Sequence, residues 1–196
     1  MLLEIKSAGE PVLRQTARNL SKKEILSPEI RQLIENMRET MHKAPGVGLA
    51  APQIGLGLQL AVIEDKPEYM KDIRPEVLAE RERKPVPFQA IINPVLTLET
   101  APTHNFFEGC LSLPGLTALV TRAAGVRVDC LDHRGQPQTI RATGWHARIL
   151  QHEIDHLNGT LYVDRMEPRS LSTLDNYSKH WKESSIAEVR AALRPR

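Results

Sequence analysis

The sequence predicts an α+β fold, with antiparallel sheets packed around a central metal-binding helix, and three observations predict it. Candidate strands follow one another along most of the chain without an alternating strand–helix rhythm, which argues against a doubly wound sheet. One strongly patterned helix, over residues 143–158, carries two histidines one turn apart. The 196 residues, 41% hydrophobic and 26% charged, suit a single domain that buries roughly 70% of its unfolded surface.

In chain order, the first strong helix spans 27–43. Ser27 caps it, Pro28 takes its first position, and Ala44-Pro45-Gly46 stops it. Ile30, Leu33, Ile34, Met37 and Met41 recur at helical spacing and give it one apolar face. A loop over 46–57 leads into a buried strand at 58–63. Residues 64–87 are dense in charge and proline and read as a surface excursion with a short helix at 75–83. Strands follow at 90–98, 105–111 and 116–122, then a hairpin of 126–131 and 138–142 around Asp132-His133-Arg134-Gly135. The second strong helix, 143–158, has Thr143 as cap and Gly159 as stop. A last strand is expected at 161–163. The tail carries a helix from Ser185, with Glu188 in capping-box position and Ile186, Val189 and Leu193 along one side.

Several classes of protein are excluded early. Twenty-six basic against 24 acidic residues leave +2, which implies no DNA and no membrane partner. Two cysteines rule out a disulfide-built secreted module. Residues 46–63 carry no charge, but Pro52, two glutamines and four glycines disqualify them as a membrane span. Residues 1–10 lack the features of a secretory signal, so a reducing cytoplasm is the expected setting.

The chemistry concentrates in His152-Glu153-Ile154-Asp155-His156. On a helix the two imidazoles lie about 40° apart, able to share one metal with Glu153 beside a bound water. A metzincin-type third histidine is absent, since Tyr162 stands at that position. The third donor is therefore open among Glu167, Glu183, Glu188 and the cysteines. Cys130 alternates with Val126 and Val128 and reads as a core hydrophobe. Cys110 stands beside Gly109 and ahead of the Pro114-Gly115 turn, where glycine allows close approach, and is the stronger candidate. His146 points about 120° away from His152 on the helix and is not a ligand. His42, His104, His133 and His180 have no partner spacing.

A third segment, Gly46 to Gln53, superficially matches the dinucleotide pattern G-x-G-x-x-A. A helix precedes it instead of a strand, and Pro52 blocks a following helix, so that reading fails. A flexible loop bringing backbone and the Gln53 amide to a ligand fits better. Glu108 calls for a cation, and Arg122 on the next strand is the expected partner ordering the Cys110 strand. Arg148 is out of place on an otherwise apolar helix face.

Taken together, GxGLAAPQ at 46–53, EGCLS at 108–112 and QHExDH at 151–156 resemble the signatures of the peptide deformylase family, in the family's order. The resemblance extends from the Pro11-Val12-Leu13-Arg14 region to about Met166, and the Gly144-Trp145-His146-Ala147-Arg148-Ile149 lead-in looks like the organelle-type branch. It implies a catalytic domain over 1–166 and a C-terminal tail over 167–196 packed on it. It implies removal of formate from N-formylmethionyl nascent polypeptides by a metal-bound water. Cys110, His152 and His156 become the metal ligands, Glu153 the general acid/base, and Gln53 with the Leu111 N–H the oxyanion donors. Gly48, Gly109 and Leu111 would hold an extended substrate by backbone hydrogen bonds. Trp145 and Ile149 precede His152 by seven and three positions and share its side of the helix. With Val47 they are candidates for an apolar pocket holding the methionine side chain, the alternative being plain core packing. The implied cofactor is one divalent metal ion, Fe2+ in cells, with Ni2+, Co2+ or Zn2+ as substitutes. The tail from Arg165 holds seven basic and four acidic residues, a candidate for transient ribosome contact. Two other readings use the same helix: a zinc endopeptidase, and a structural zinc module closed by a fourth ligand such as His104.

Overall fold

A computed structural model describes residues 1–194; the last two residues of the expected tail, 195 and 196, lie outside the described residues. Two short helical segments open the chain: a 3₁₀ turn at Pro11–Arg14 and α1, Lys22–Ile25, closed by a capping box between Ser21 and Glu24. Helix α2, Pro28–Lys43, starts as its sequence dictates, the Ser27 hydroxyl accepting the Ile30 N–H at 3.3 Å. Its buried face of Ile34, Met37 and Met41 packs on Leu49, Leu60, Val62 and Ile92.

Strands β1 (Gly48–Ala50), β2 (Leu60–Asp65), β3 (Val86–Leu98), β6 (Gly125–Leu131) and β7 (Pro137–Thr143) form a five-stranded antiparallel sheet in the order β1-β2-β3-β6-β7. Between β2 and β3 the excursion carries helix α3, Pro75–Glu80. Strands β4 (Pro102–Cys110), β5 (Leu113–Ala123) and β8 (Ser172–Thr173) form a second antiparallel sheet. Helix α4, Gly144–Leu157, lies between the two and is buried over most of its circumference. Ile149, Leu150 and Ile154 pack on Ile63, Ile91, Val126 and Val128 of the larger sheet. On its other side Gln151 mimics a strand neighbour, accepting the Ala123 N–H at 3.0 Å and donating to the Ala123 carbonyl at 2.9 Å. The predicted architecture of antiparallel sheets around a central helix is the one observed.

Four local expectations are corrected. Thr143 does not cap α4: it is the last residue of β7, paired with Gly125, and its hydroxyl donates to Glu82 at 3.0 Å. Residues 161–163 are not a strand. They enter a 3₁₀ turn, Tyr162–Asp164, because the Asp164 carboxylate folds back to accept the Leu161 N–H at 2.7 Å. The segment 46–53 is not a loop throughout: Gly48–Ala50 pairs with β2 and Ala51–Ile54 forms a 3₁₀ turn. The tail holds a helix that its sequence pattern did not announce, α5 (Leu174–His180), ahead of the expected α6 (Ile186–Leu193). Val189 of α6 is fully buried with Phe107 and Leu119, on the outer face of the smaller sheet. Among the described residues no helix is long and apolar enough to cross a membrane.

Candidate metal centre

Helix periodicity brings His152 and His156 together, their rings 5.0 Å apart in an edge-on arrangement. The third donor comes from the end of β4. There the β4–β5 register shifts between Gly109 and Cys110, and the local kink sets Cys110 toward α4. Cys110 Sγ lies 3.3 Å from His156 Nε2, and one donor atom from each of Cys110, His152 and His156 falls within 4.8 Å of the others. Tetrahedral bonds of roughly 2.0–2.3 Å to one sulfur and two nitrogens place neighbouring donors about 3.5 Å apart, so these residues fit a divalent ion. The open choice of third donor thus falls on Cys110. Glu167, Glu183 and Glu188 are engaged elsewhere, with Arg190, Arg74 and Ser185. Cys130 is buried in the larger sheet, and burial pushes its thiol up to about 11. His104 stays outside the cluster; its carbonyl accepts from Arg148 Nη2 at 2.6 Å.

The support behind the donors is ionic and buried. His152 Nδ1 donates to Glu108 at 3.0 Å, which leaves Nε2 for the centre. Glu108 also accepts from both Arg122 Nε and Nη2 at 3.0 Å, the expected pair, and from Arg148. Burial pushes the Glu108 carboxyl up. The hydrogen bond from His152 and the charge of Arg122 outweigh it and hold the group well below the usual carboxylate range. Arg122 reaches on to Asp155, which Arg165 grips from the other side at 2.7 and 2.8 Å.

Two polar side chains face the donors from other directions. Gln53 has its orientation set by the backbone: Ala50 N–H donates to Oε1 at 2.9 Å. The amide nitrogen is thereby turned toward Ser112 Oγ at 3.2 Å and Cys110 Sγ at 3.5 Å. Glu153 is buried, its Oε2 has no hydrogen-bond partner, and burial pushes its carboxyl up to about 7. Its carboxylate lies directly over β1: a Cβ at Gly48 would sit 2.1 Å from Glu153 Oε1, so any side chain there must displace that carboxylate.

All of this opens into a cleft of about 410 Å³. Val47, Gly48, Gly109, Trp145 and Ile149 line it beside Gln53, Cys110, Leu111, His152 and Glu153. His156, 1% exposed, lies beneath it. The cleft runs between two sheet edges, since β1 ends the five-stranded sheet and β4 the smaller one. Sequence reasoning missed Arg148 as a cleft residue holding Glu108; its charge on an apolar face was the available signal. It also missed Ser112 and, from the tail, Leu174, which lines the cleft mouth and had no signal at all.

A family model described as Polypeptide deformylase matches residues 2–172. The chain is 46% identical over 192 residues to "Peptide deformylase 3" of Streptomyces avermitilis, covering 97% of this chain and 83% of that protein. It is also 46% identical over 173 residues to "Peptide deformylase 1A, chloroplastic" of Solanum lycopersicum, where the match covers 88% of this chain but 62% of the longer plant protein. Among solved structures it resembles a Met-Ala-Ser-bound class I type b peptide deformylase from Acinetobacter baumannii, with a TM-score of 0.75, 31% identity, and coverage of 85% of this chain and 99% of that one. An actinonin complex of a peptide deformylase from Synechococcus elongatus gives a TM-score of 0.69 and 37% identity, covering 97% of this chain and 84% of that one.

Proposed function

The chain belongs to the polypeptide deformylase family, and from that premise we propose that it hydrolyses the formyl group from N-formylmethionyl nascent polypeptides, releasing formate. The observation that carries the reading is the cluster of Cys110, His152 and His156 beside a cleft that also presents Glu153 and the Gln53 amide. These three residues would hold one divalent ion, Fe2+ in cells and Ni2+, Co2+ or Zn2+ as replacements. When bound, the ion supplies Lewis acidity that draws a water toward a pKa of ~7 and polarises the formyl carbonyl.

The chain's own groups do the rest. Glu153 takes a proton from the attacking water as its oxygen bonds to the formyl carbon. The Gln53 Nε2 and the Leu111 N–H hold the oxygen on which charge builds. Glu153 then hands the proton to the departing nitrogen as the C–N bond breaks, leaving formate and a free amino terminus. The substrate backbone adds as a strand between the two sheet edges, bonded at Gly48 and Gly109. Val47, Trp145 and Ile149 receive the methionine side chain. The relative bound to Met-Ala-Ser holds the peptide that this reaction on formyl-Met-Ala-Ser would leave.

We assign the catalytic domain to residues 1–166 and the tail to 167–196, and place the reaction in the cytoplasm. Arg165, Arg169 and Arg190 hydrogen-bond within the protein, so among the described residues ribosome contact falls to the exposed Lys179, Lys182 and Arg194.

The decisive assay offers the iron- or nickel-loaded protein formyl-, acetyl- and unblocked Met-Ala-Ser. Formate release from the first alone is expected; cleavage within the peptide would favour an endopeptidase. Glu153→Ala should keep its metal and lose at least ~10²–10⁴ in turnover. Loss of metal in that variant would move Glu153 among the ligands and overturn its assignment.

A further inference from the structure

The excursion between β2 and β3 touches the cleft wall through charge and aromatic rings. Arg81 Cζ lies 5.1 Å from the Trp145 ring centroid and 5.6 Å from that of Phe106. Arg83 Cζ stands 5.2 Å from Trp145, and Arg148 Cζ 5.2 Å from Phe106. The contacts therefore run Arg148, Phe106, Arg81, Trp145, Arg83, alternating cation and ring. Both ends are neutralised and fixed: Arg83 binds the fully buried Asp65 through two bonds of 2.8 and 2.9 Å, and Arg148 binds Glu108. Arg81 in the middle differs, its Nε buried without a hydrogen-bond partner. The π faces are what receive its charge.

A turn sets this up. Helix α3 ends with Glu82 in left-handed conformation, φ 47°, while Arg83 N–H donates to the Leu78 carbonyl at 2.8 Å and Glu82 N–H to Ala79 at 3.0 Å. That pair of bonds is the usual glycine-type helix stop. It brings residues on both sides of Glu82 to the same indole.

We propose that Arg81 is a specificity-determining positioning residue: by bridging Phe106 and Trp145 it fixes the indole that walls the pocket for the substrate's first side chain. The inference rests on the reading of this cleft as the seat of a formylated peptide. Trp145 and Arg148 line the cleft, whereas Arg81 does not, so its influence passes through the ring. A wall held on one face by a cation keeps its plane, and a pocket of fixed width discriminates between side chains of different shape.

The test uses the metal-loaded full chain and two substrates, formyl-Met-Ala-Ser and formyl-Phe-Ala-Ser. Arg81→Leu is expected to raise KM for the methionine peptide about 3- to 10-fold with kcat little changed, and to narrow the Met-over-Phe preference by a similar factor. Arg81→Lys, which keeps a cation, should recover most of both. Should Arg81→Leu not fold, Arg81→Gln, which keeps most of the side chain without the cation, removes the same bridge. Unchanged KM and preference in a folded variant would overturn the proposal, as would a fall in kcat alone or a loss of melting temperature alone. Absence of formate release by the unaltered protein would instead strike the functional reading itself.

Discussion

The two halves of α4 are one helix held in two different ways. The half bearing His152, Glu153 and His156 is tied by charged hydrogen bonds to β4 and β5: Glu108 to His152, Arg122 to Glu108 and to Asp155. The first turn, bearing Trp145, is held by guanidinium groups of the excursion stacked on the indole, before Arg148 joins the charged network through Glu108. Charged hydrogen bonds are directional, and they fix the angle and tautomer of an imidazole. Cation–ring contacts are broad in angle but hold a flat surface in place. A metal ligand needs the first kind of support, and a pocket wall needs only the second. Damage to the first half should therefore show in metal content and turnover, damage to the second in KM and preference.

The largest effect separating the halves is expected at Arg122. Arg122→Leu leaves Glu108 and Asp155 buried without their shared cation, and breaking such a pair costs about 3–5 kcal/mol. For a chain of this size that lowers the melting temperature by roughly 6–20 °C. Metal retained per protein, measured after dialysis, should fall as well, because the Glu108–His152 bond loses its anchor. The Met-over-Phe preference of whatever enzyme remains should not move.

Two glycines form a matched pair for the next comparison. At Gly48 the nearest atoms that an added Cβ would meet all belong to the buried Glu153 side chain, from Oε1 at 2.1 Å back to Cγ at 2.8 Å. Gly48→Ala should displace the carboxylate and lower kcat by about 10²-fold or more with metal retained. At Gly144, φ +55°, the added Cβ would lie 2.8 Å from the Arg81 carbonyl and 2.4 Å from Glu82 Cβ, where backbone must move. Left-handed strain plus overpacking costs about 2–4 kcal/mol. Gly144→Ala should therefore melt lower and raise KM, as Arg81→Leu does. If the two variants exchanged phenotypes, the division of the helix would be wrong.

The same division explains what was legible in the sequence. His152, Glu153 and His156 announced themselves because helical spacing alone decides which of them face one point. Cys110 stood out by its glycine, and Gln53 by its place in a glycine-rich run with no other use. The sheets were legible from strands following strands, and the Ser27 and Ser185 caps from local chemistry. Thr143 misled because its hydroxyl went to Glu82, a residue 61 positions away. Residues 161–163 look extended locally, yet Asp164 pulls them into a turn. Trp145 and Ile149 could be placed on the His152 side of the helix, but nothing local told that Arg81 and Arg83 would stack against Trp145. Arg148 was legible as a misfit and not as a partner, since Glu108 lies 40 residues away. Long-range electrostatic partners leave no periodic mark.

The smallest effect tests whether the turn or its side chain holds the excursion to α4. Glu82 occupies a conformation that costs a non-glycine residue about 1–2 kcal/mol. Glu82→Gly removes that cost. It also gives up the bond from the Thr143 hydroxyl, about 0.5–1.5 kcal/mol, and adds roughly 0.5–1 kcal/mol of unfolded-chain entropy. These terms nearly cancel, so a melting temperature within about 2 °C of the unaltered protein is expected. KM and preference should stay put as well, because glycine keeps the turn that aims Arg81 and Arg83 at the indole. If KM instead rose as in Arg81→Leu, the Thr143–Glu82 bond and not the backbone turn would hold the wall. The first turn of α4 would then depend on directional hydrogen bonding after all, as the turns bearing His152 and His156 do.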